Sequence, residues 1–260
     1  MLGGIPAPVR VQIVGTGRMG SALEAALQRS GITLLPMGGR GAMGAGADIV
    51  LLAVPDAEIS AAASHVAPGP LVGHLSGITS LAALGQHEAF AVHPLLTVTG
   101  PQTTFTGAYA AVAGSTPRAL AAAEDLAKSL ELHPFQIADE DRAAYHAAAS
   151  IASNFLVTIE GFAESLAATA GVPREALVPL AEAALRNWAA RGASDALTGP
   201  IVRGDEATVR RQRDAVADRA PEQLALFEAL VEETRRLAKS DAGKTSEAPA
   251  SSGPGSGAAS

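Results

Sequence analysis

Gly15-Thr16-Gly17-Arg18-Met19-Gly20 follows the apolar run Val11 to Val14 and opens a helical pattern from Met19 to Arg29. Glycines at this spacing have separate tasks. Gly15 permits a tight turn, Gly17 lets the backbone approach a pyrophosphate, and Gly20 lets helix and strand pack closely. The N–H groups of the first helical turn then meet the phosphates at the positive end of the helix dipole. The chemistry implied is dinucleotide recognition. A structural βα turn that had lost its cofactor would use the same glycines, so the motif is read together with its neighbours.

The end of the second strand distinguishes the cofactors, since an Asp or Glu there would bind a ribose 2′-hydroxyl. None occurs between Arg29 and Asp48. Arg40 follows Gly38-Gly39 instead, about 20 residues past Gly20. A guanidinium there can pair bidentately with a 2′-phosphate, which favours NADP (NADPH) over NAD. Otherwise Arg40 is a solvated loop residue. Ala53-Val54-Pro55-Asp56 ends the third strand, where Val54 and Pro55 can line a cofactor crevice and Asp56 can cap the next helix.

A second set of polar residues follows. His74-Leu75-Ser76-Gly77 and Val92-His93-Pro94 end two further strands, at the edge where ligands of parallel sheets sit. Either histidine could also be structural. The helix that begins near Asp141 carries Tyr145-His146, Ser150, Ser153 and Asn154. At about 100° per residue, His146, Ser150, Ser153 and Asn154 share one face. Ile151, Phe155, Ile159, Phe162 and Leu166 form the opposite stripe. There is no charge from Ala143 to Ile159. Such a neutral face fits a nicotinamide and a substrate, or a close helix–helix dimer contact, and the two are compatible. Imidazole titrates near neutral pH, which suits His146 to proton donation. Further on, Leu197-Thr198-Gly199-Pro200-Ile201-Val202-Arg203-Gly204-Asp205 interrupts the helical pattern. Arg203 could hold a carboxylate, or the segment could be a loop whose Asp205 starts the next helix.

The elements that must position these residues alternate strand and helix. Strands are expected at Val11–Val14, Ile32–Leu35, Asp48–Val54, Leu71–Leu75, Ala89–His93, Tyr109–Ala113 and Pro134–Ile137, with a helix over Pro117–Leu130. Continuous apolar strands in such an alternation imply a parallel sheet covered on both faces. From Asp139 to about Lys239 only helical periodicity remains. From Ser240 the Ser, Gly, Ala and Pro composition predicts a disordered tail.

The 260 residues are 48% hydrophobic and 17% charged, which excludes a wholly disordered chain. A net charge of −7 argues against a dedicated nucleic-acid binder. With no cysteine, disulfides, thiolate metal sites and a cysteine nucleophile are all excluded, and no metal is expected. Met1 to Arg10 lacks the pattern of a secretory signal, and no run suits a membrane span, so a cytoplasmic address is expected.

Together these segments resemble the bacterial "Rossmann-like and DUF2520 domain-containing" proteins over about residues 10 to 235. That family is similar in architecture to the 6-phosphogluconate dehydrogenase superfamily, with its ketopantoate reductases, pyrroline-5-carboxylate reductases, β-hydroxyacid dehydrogenases and prephenate dehydrogenases. The resemblance implies an α/β fold: an N-terminal Rossmann dinucleotide-binding domain (1–138), then an all-helical 6-phosphogluconate dehydrogenase C-terminal-like domain (139–239). The second would serve substrate binding and homodimerisation. It implies hydride transfer between NADP and a small 2-oxo or 2-hydroxy acid. Ketopantoate is the leading substrate, given the family's association with pantothenate genes.

Ketopantoate reductases and β-hydroxyacid dehydrogenases place a Lys and an Asn one turn apart; here Ser150 and Asn154 hold that spacing, with no Lys in the helix. The expected assignment has His146, Asn154 and Ser76 as catalytic residues. Gly15, Thr16, Gly17, Arg18, Met19, Gly20, Arg40, Val54 and Pro55 would bind cofactor. His74, Gly77, His93, Ser150, Thr198 and Arg203 would meet substrate. Other oxidoreductions, of a prephenate-like compound or an imine, and a non-catalytic NADP-binding regulator are the alternatives.

Overall fold

A computed structural model describes residue 4 and residues 8–240. The tail expected to be disordered lies, from residue 241, outside the described residues, as does most of the opening segment read for a secretory signal. By its contacts the chain divides into two compact units, residues 1–154 and 155–260.

The first unit is built on one sheet. Its strands are β1 (Arg10–Val14), β2 (Thr33–Leu34), β3 (Ile49–Leu52), β4 (Leu71–His74), β5 (Ala89–Leu95), β6 (Tyr109–Gly114) and β7 (His133–Gln136). Their spatial order is β2-β1-β3-β4-β5-β6-β7. The helices are α1 (Arg18–Leu27), α2 (Ile59–His65), α3 (Pro117–Ser129) and α4 (Arg142–Ser150). Every residue of β3 is buried, because apolar side chains leave both faces. Ile49 and Leu51 join Leu23, Leu27, Phe90 and Leu126 on the side of α1 and α3. Val50 and Leu52 join Ile59, Ala62 and Val72 on the side of α2. Thr116 caps α3, its side chain accepting from the Ala119 N–H, with Pro117 in the first turn.

The expectation of an all-parallel sheet needs one correction. β5 and β6 pair antiparallel, with His93 opposite Ala111. No helix intervenes between them, so no crossover returns the chain to the starting edge. The pairs β1·β2, β1·β3, β3·β4, β4·β5 and β6·β7 are parallel. The carboxyl ends of β1, β3, β4 and β5 therefore share one edge.

The expected helix after Asp141 is also not uniform. A π-helical turn, Ile151–Phe155, separates α4 from α5 (Leu156–Ala168). The second unit continues with α6 (Arg174–Arg191), α7 (Ala193–Ala196), α8 (Glu206–Arg219) and α9 (Leu224–Ser240). Phe162, Val216 and Ala220 form its small core, with Leu166, Leu224 and Phe227 packed against them. Asp205 caps α8, accepting from the Thr208 N–H at 3.1 Å. Among the described residues, no helix is long and apolar enough to cross a membrane.

Candidate active site

The phosphate loop connects β1 to α1. Gly15 has φ +114°, which a side chain would strain, and a Cβ there would lie 2.3 Å from the Ala53 carbonyl oxygen. A Cβ at Gly20 would lie 1.9 Å from the Gly15 carbonyl oxygen. Gly17 differs, for a Cβ there would meet nothing within 4 Å. Two glycines thus close the loop onto the fold, while the third faces open space. Gly17 is also the N-cap of α1, and no side chain caps that end. Thr16, Gly17 and Arg18 are exposed.

Beside the loop, the Gly15 N–H donates to the Gly38 carbonyl at 3.0 Å, and the Gly38 N–H to the Ile13 carbonyl at 2.8 Å. These bonds carry Gly38-Gly39-Arg40 to the phosphate loop. Arg40 is exposed and pairs with Glu58, just past the end of β3. A crevice of about 360 Å³ opens at this edge, lined by Gly17, Arg18, Met19, Val54, Pro55, Ser76 and others. Five of the nine residues expected to bind cofactor line it.

A larger cavity of about 560 Å³ lies in the same unit. It is lined by the His93-to-Thr97 segment and by residues from Tyr145 to Asn154. His93, His146, Ser150 and Asn154 are thereby brought together. Ser153 lines the cavity too, its hydroxyl donating to the Ala149 carbonyl one turn back at 2.7 Å.

Tyr145 completes the cluster. Its Oη lies 2.6 Å from His93 Nδ1. Phe135 of β7 packs edge-on against the Tyr145 ring, with centroids 5.9 Å apart. Burial pushes the phenol up to about 12. Burial, with His146 nearby, pushes His93 down to about 4, and the charge of Arg142 acts in the same direction. At neutral pH the phenol is protonated and the imidazole uncharged. The short contact then joins a neutral imidazole to a protonated phenol, and the imidazole tautomer sets which of them donates.

Gly77 sits against both histidines. A Cβ there would lie 2.8 Å from His93 Cε1 and 2.9 Å from His146 Cδ2. The two rings stand with centroids 6.1 Å apart. Gly77, which packs on both histidines, is the chain neighbour of Ser76, which lines the crevice of the phosphate loop.

Several expected site residues are placed elsewhere. His74 is fully buried and lines no described cavity. Its Nδ1 accepts from the Ser76 N–H at 3.2 Å. Burial, then the charge of Arg142, pushes it down to about 4. It holds the end of β4. The Ser76 hydroxyl donates to Thr79 Oγ1 at 2.8 Å and accepts from the Ile78 and Thr79 N–H groups. It builds a turn at the cofactor crevice and does not reach into the cavity of His146. Thr198 and Arg203 are exposed residues of the second unit, in the turn before α8.

Sequence reasoning passed over Arg142, which is 2% exposed. Its Nε donates to Asp139 Oδ1 at 2.6 Å, while Nη2 is buried with no partner among the described residues. The available signal was its i, i+3, i+4 spacing with Tyr145 and His146 on α4.

Comparison with solved structures places this fold among known ones. A candidate NADP oxidoreductase from Bacteroides fragilis superposes with a TM-score of 0.75 at 18% identity, covering 88% of this chain and 98% of that one. A Thermotoga maritima protein gives 0.73 at 21%, covering 89% and 99%. A reductive aminase from Aspergillus terreus, solved with NADPH and ethyl levulinate, gives 0.63 at 17%, covering 88% and 94%. At these identities the likeness is one of fold. No curated protein matches the sequence. Residues 108–234 match the family model described as "Domain of unknown function (DUF2520)". That match begins just before β6, so it takes in the last two strands and α3 as well as the helices that follow. The chain carries a DUF2520 domain over residues 108–234 and shares its fold with these solved structures.

Proposed function

We propose that the protein is an NADP-dependent oxidoreductase that reduces a small 2-oxo acid to the 2-hydroxy acid, with ketopantoate as the leading substrate. The observation that carries the reading is the junction at Gly77. Gly77 packs on His93 and His146 of one cavity and directly follows Ser76, which lines the crevice of the phosphate loop.

The chain's residues fit the cofactor. Gly15 and Gly20 close the loop, and the open side of Gly17 leaves room for a pyrophosphate. The uncapped first turn of α1 offers N–H groups to its charge. Arg40 stands where a 2′-phosphate could take the place of Glu58. NADPH in the Aspergillus terreus structure and NADP in the Plasmodium falciparum one, both of this fold, support the choice.

The bound cofactor supplies hydride to the carbonyl carbon. His146 donates a proton to the oxygen as negative charge develops there, and is reprotonated from water. Asn154 and Ser150, on the same wall of the cavity, hydrogen-bond that oxygen or its neighbour. Arg203 and Thr198 of the second unit bind the carboxylate, from the same chain or a partner subunit.

The helical residues also act in dimerisation. Ile151, Phe155, Val157, Leu180 and Trp188 are each more than half exposed, and α6 buries no residue. Such apolar surface suits a homodimer. The division of labour follows: residues 1–138 hold cofactor, and 139–239 serve substrate and dimer contact.

Imine reduction is the second reading. The fold is shared with an imine reductase and a reductive aminase, each solved with a form of NADPH. The deciding experiment follows NADPH oxidation with ketopantoate, other 2-oxo acids and cyclic imines. Turnover with ketopantoate supports the first reading, and turnover with imines alone replaces it. NADPH binding with no turnover on any of them leaves a regulatory protein.

A further inference from the structure

Two histidines face one cavity, and the surroundings of His93 are unusually specified. Tyr145 Oη meets its Nδ1 at 2.6 Å, and the rings stand edge-on at 89°. Phe135 supports the tyrosine ring from β7. Gly77 packs on the Cε1–Nδ1 side of the imidazole, leaving space for it and for nothing larger. Arg142 lies one turn before Tyr145 on α4, almost wholly buried. Asp139 takes only its Nε, and Nη2 has no partner among the described residues. A guanidinium so buried projects its charge through a poorly screening interior.

We propose that Tyr145 is a positioning residue for His93. Tyr145 fixes the imidazole as the Nε2–H tautomer, so that His93 is a standing hydrogen-bond donor for the oxygen of a bound carbonyl compound. The chemistry is that of a polarising group whose proton stays in place, beside a second histidine that gives its proton away. A neutral imidazole holds one ring proton, and which nitrogen carries it follows from the partner of the other. A hydroxyl donating to Nδ1 leaves the proton on Nε2. The charged and titratable groups that bear on His93 are His146, Asp56, Arg142 and Tyr145. His146 and Arg142 oppose protonation of the ring, and Asp56 favours it.

This assignment rests on the reductase reading for its purpose, but its test does not require turnover. The intact chain, labelled with ¹⁵N, is studied by long-range ¹H–¹⁵N NMR of its histidine rings from about pH 5 to about pH 8. A His93→Asn spectrum identifies the His93 signals. The wild type should show His93 neutral and protonated on Nε2 throughout. Tyr145→Phe should release the tautomer, with Nδ1–H signal appearing while the thermal unfolding midpoint and NADPH binding persist. An unchanged tautomer in Tyr145→Phe overturns the role of the tyrosine. A His93 that titrates near neutrality in the wild type overturns the whole proposal. The expected spectra in a protein that reduces no carbonyl would uphold the geometry and remove the reductase reading alone.

Discussion

Gly20 packs against Gly15 so closely that a Cβ on the former would stand 1.9 Å from the carbonyl oxygen of the latter. The phosphate loop is thus closed by two residues without side chains, and Gly17 between them takes no part in the closure. Substitution at Gly17 should therefore separate binding from folding. Gly17→Val should leave the unfolding midpoint nearly unchanged and weaken NADPH binding about tenfold or more. Fluorescence titration and thermal melts measure the two. Unchanged affinity would remove the loop from the cofactor site.

Arg40 and Glu58 form an ion pair beside that loop. A 2′-phosphate must compete with the Glu58 carboxylate for the guanidinium. Arg40→Ala should lower the preference for NADPH over NADH by about 10- to 100-fold, the worth of one charge-assisted pair. Glu58→Gln should strengthen NADPH binding and leave NADH binding unchanged. Calorimetric titration of both cofactors tests this, and an unaltered ratio in both variants refutes it.

His146 shares its cavity with His93 but has no tyrosine partner of its own among the described residues. His146→Ala should reduce carbonyl turnover by about 10²–10⁴, with cofactor affinity retained. Steady-state rates with the best substrate of the panel decide the matter. Full activity in that variant would exclude His146 as the acid.

Acid should destabilise the fold through His74. Its ring is buried and pushed down to about 4, against 6.5 for an ordinary histidine. Between those values the unfolded chain binds more protons than the native one. Stability is therefore fully present above about 6.5 and is lost as pH falls toward 4. The loss from this one group is on the order of 3 kcal/mol. Urea unfolding across that window should show the decline, and His74→Asn should flatten it. A slope identical in the two proteins would contradict the assignment. His93 contributes in the same direction.

The exposed apolar residues of α6 make a test of assembly. Trp188 is 57% exposed and Leu180 69%. Sedimentation should find a dimer for the wild type and a monomer for the Leu180→Glu, Trp188→Glu double variant. A monomeric wild type at micromolar concentration would defeat the dimer reading.

Much of the first unit was legible because buried strands are written as continuous apolar runs, such as Ile49–Leu52, and because the loop glycines carry their own geometry. Strand direction is not written in such runs, so the antiparallel pairing of β5 with β6 was missed. His74 and His93 look alike in sequence, each at a strand end; only packing separates a fully buried ring from one lining a cavity. Ser76 was read as catalytic, and the turn that engages its hydroxyl is a three-dimensional fact that its sequence does not carry. The Tyr145–His93 bond joins residues 52 apart, beyond any local pattern. Arg142 was passed over because a charged residue opening a helix is ordinarily at the surface.

The π turn at Ile151–Phe155 has a consequence for how this helix can vary. One extra residue in a helix rotates everything beyond it by about 100° relative to what precedes it. His146 and Ser150 before the turn and Asn154 within it line one cavity. Removing a single residue from the turn would rotate Asn154 out of phase with the other two. The length of this five-residue stretch should therefore tolerate little change.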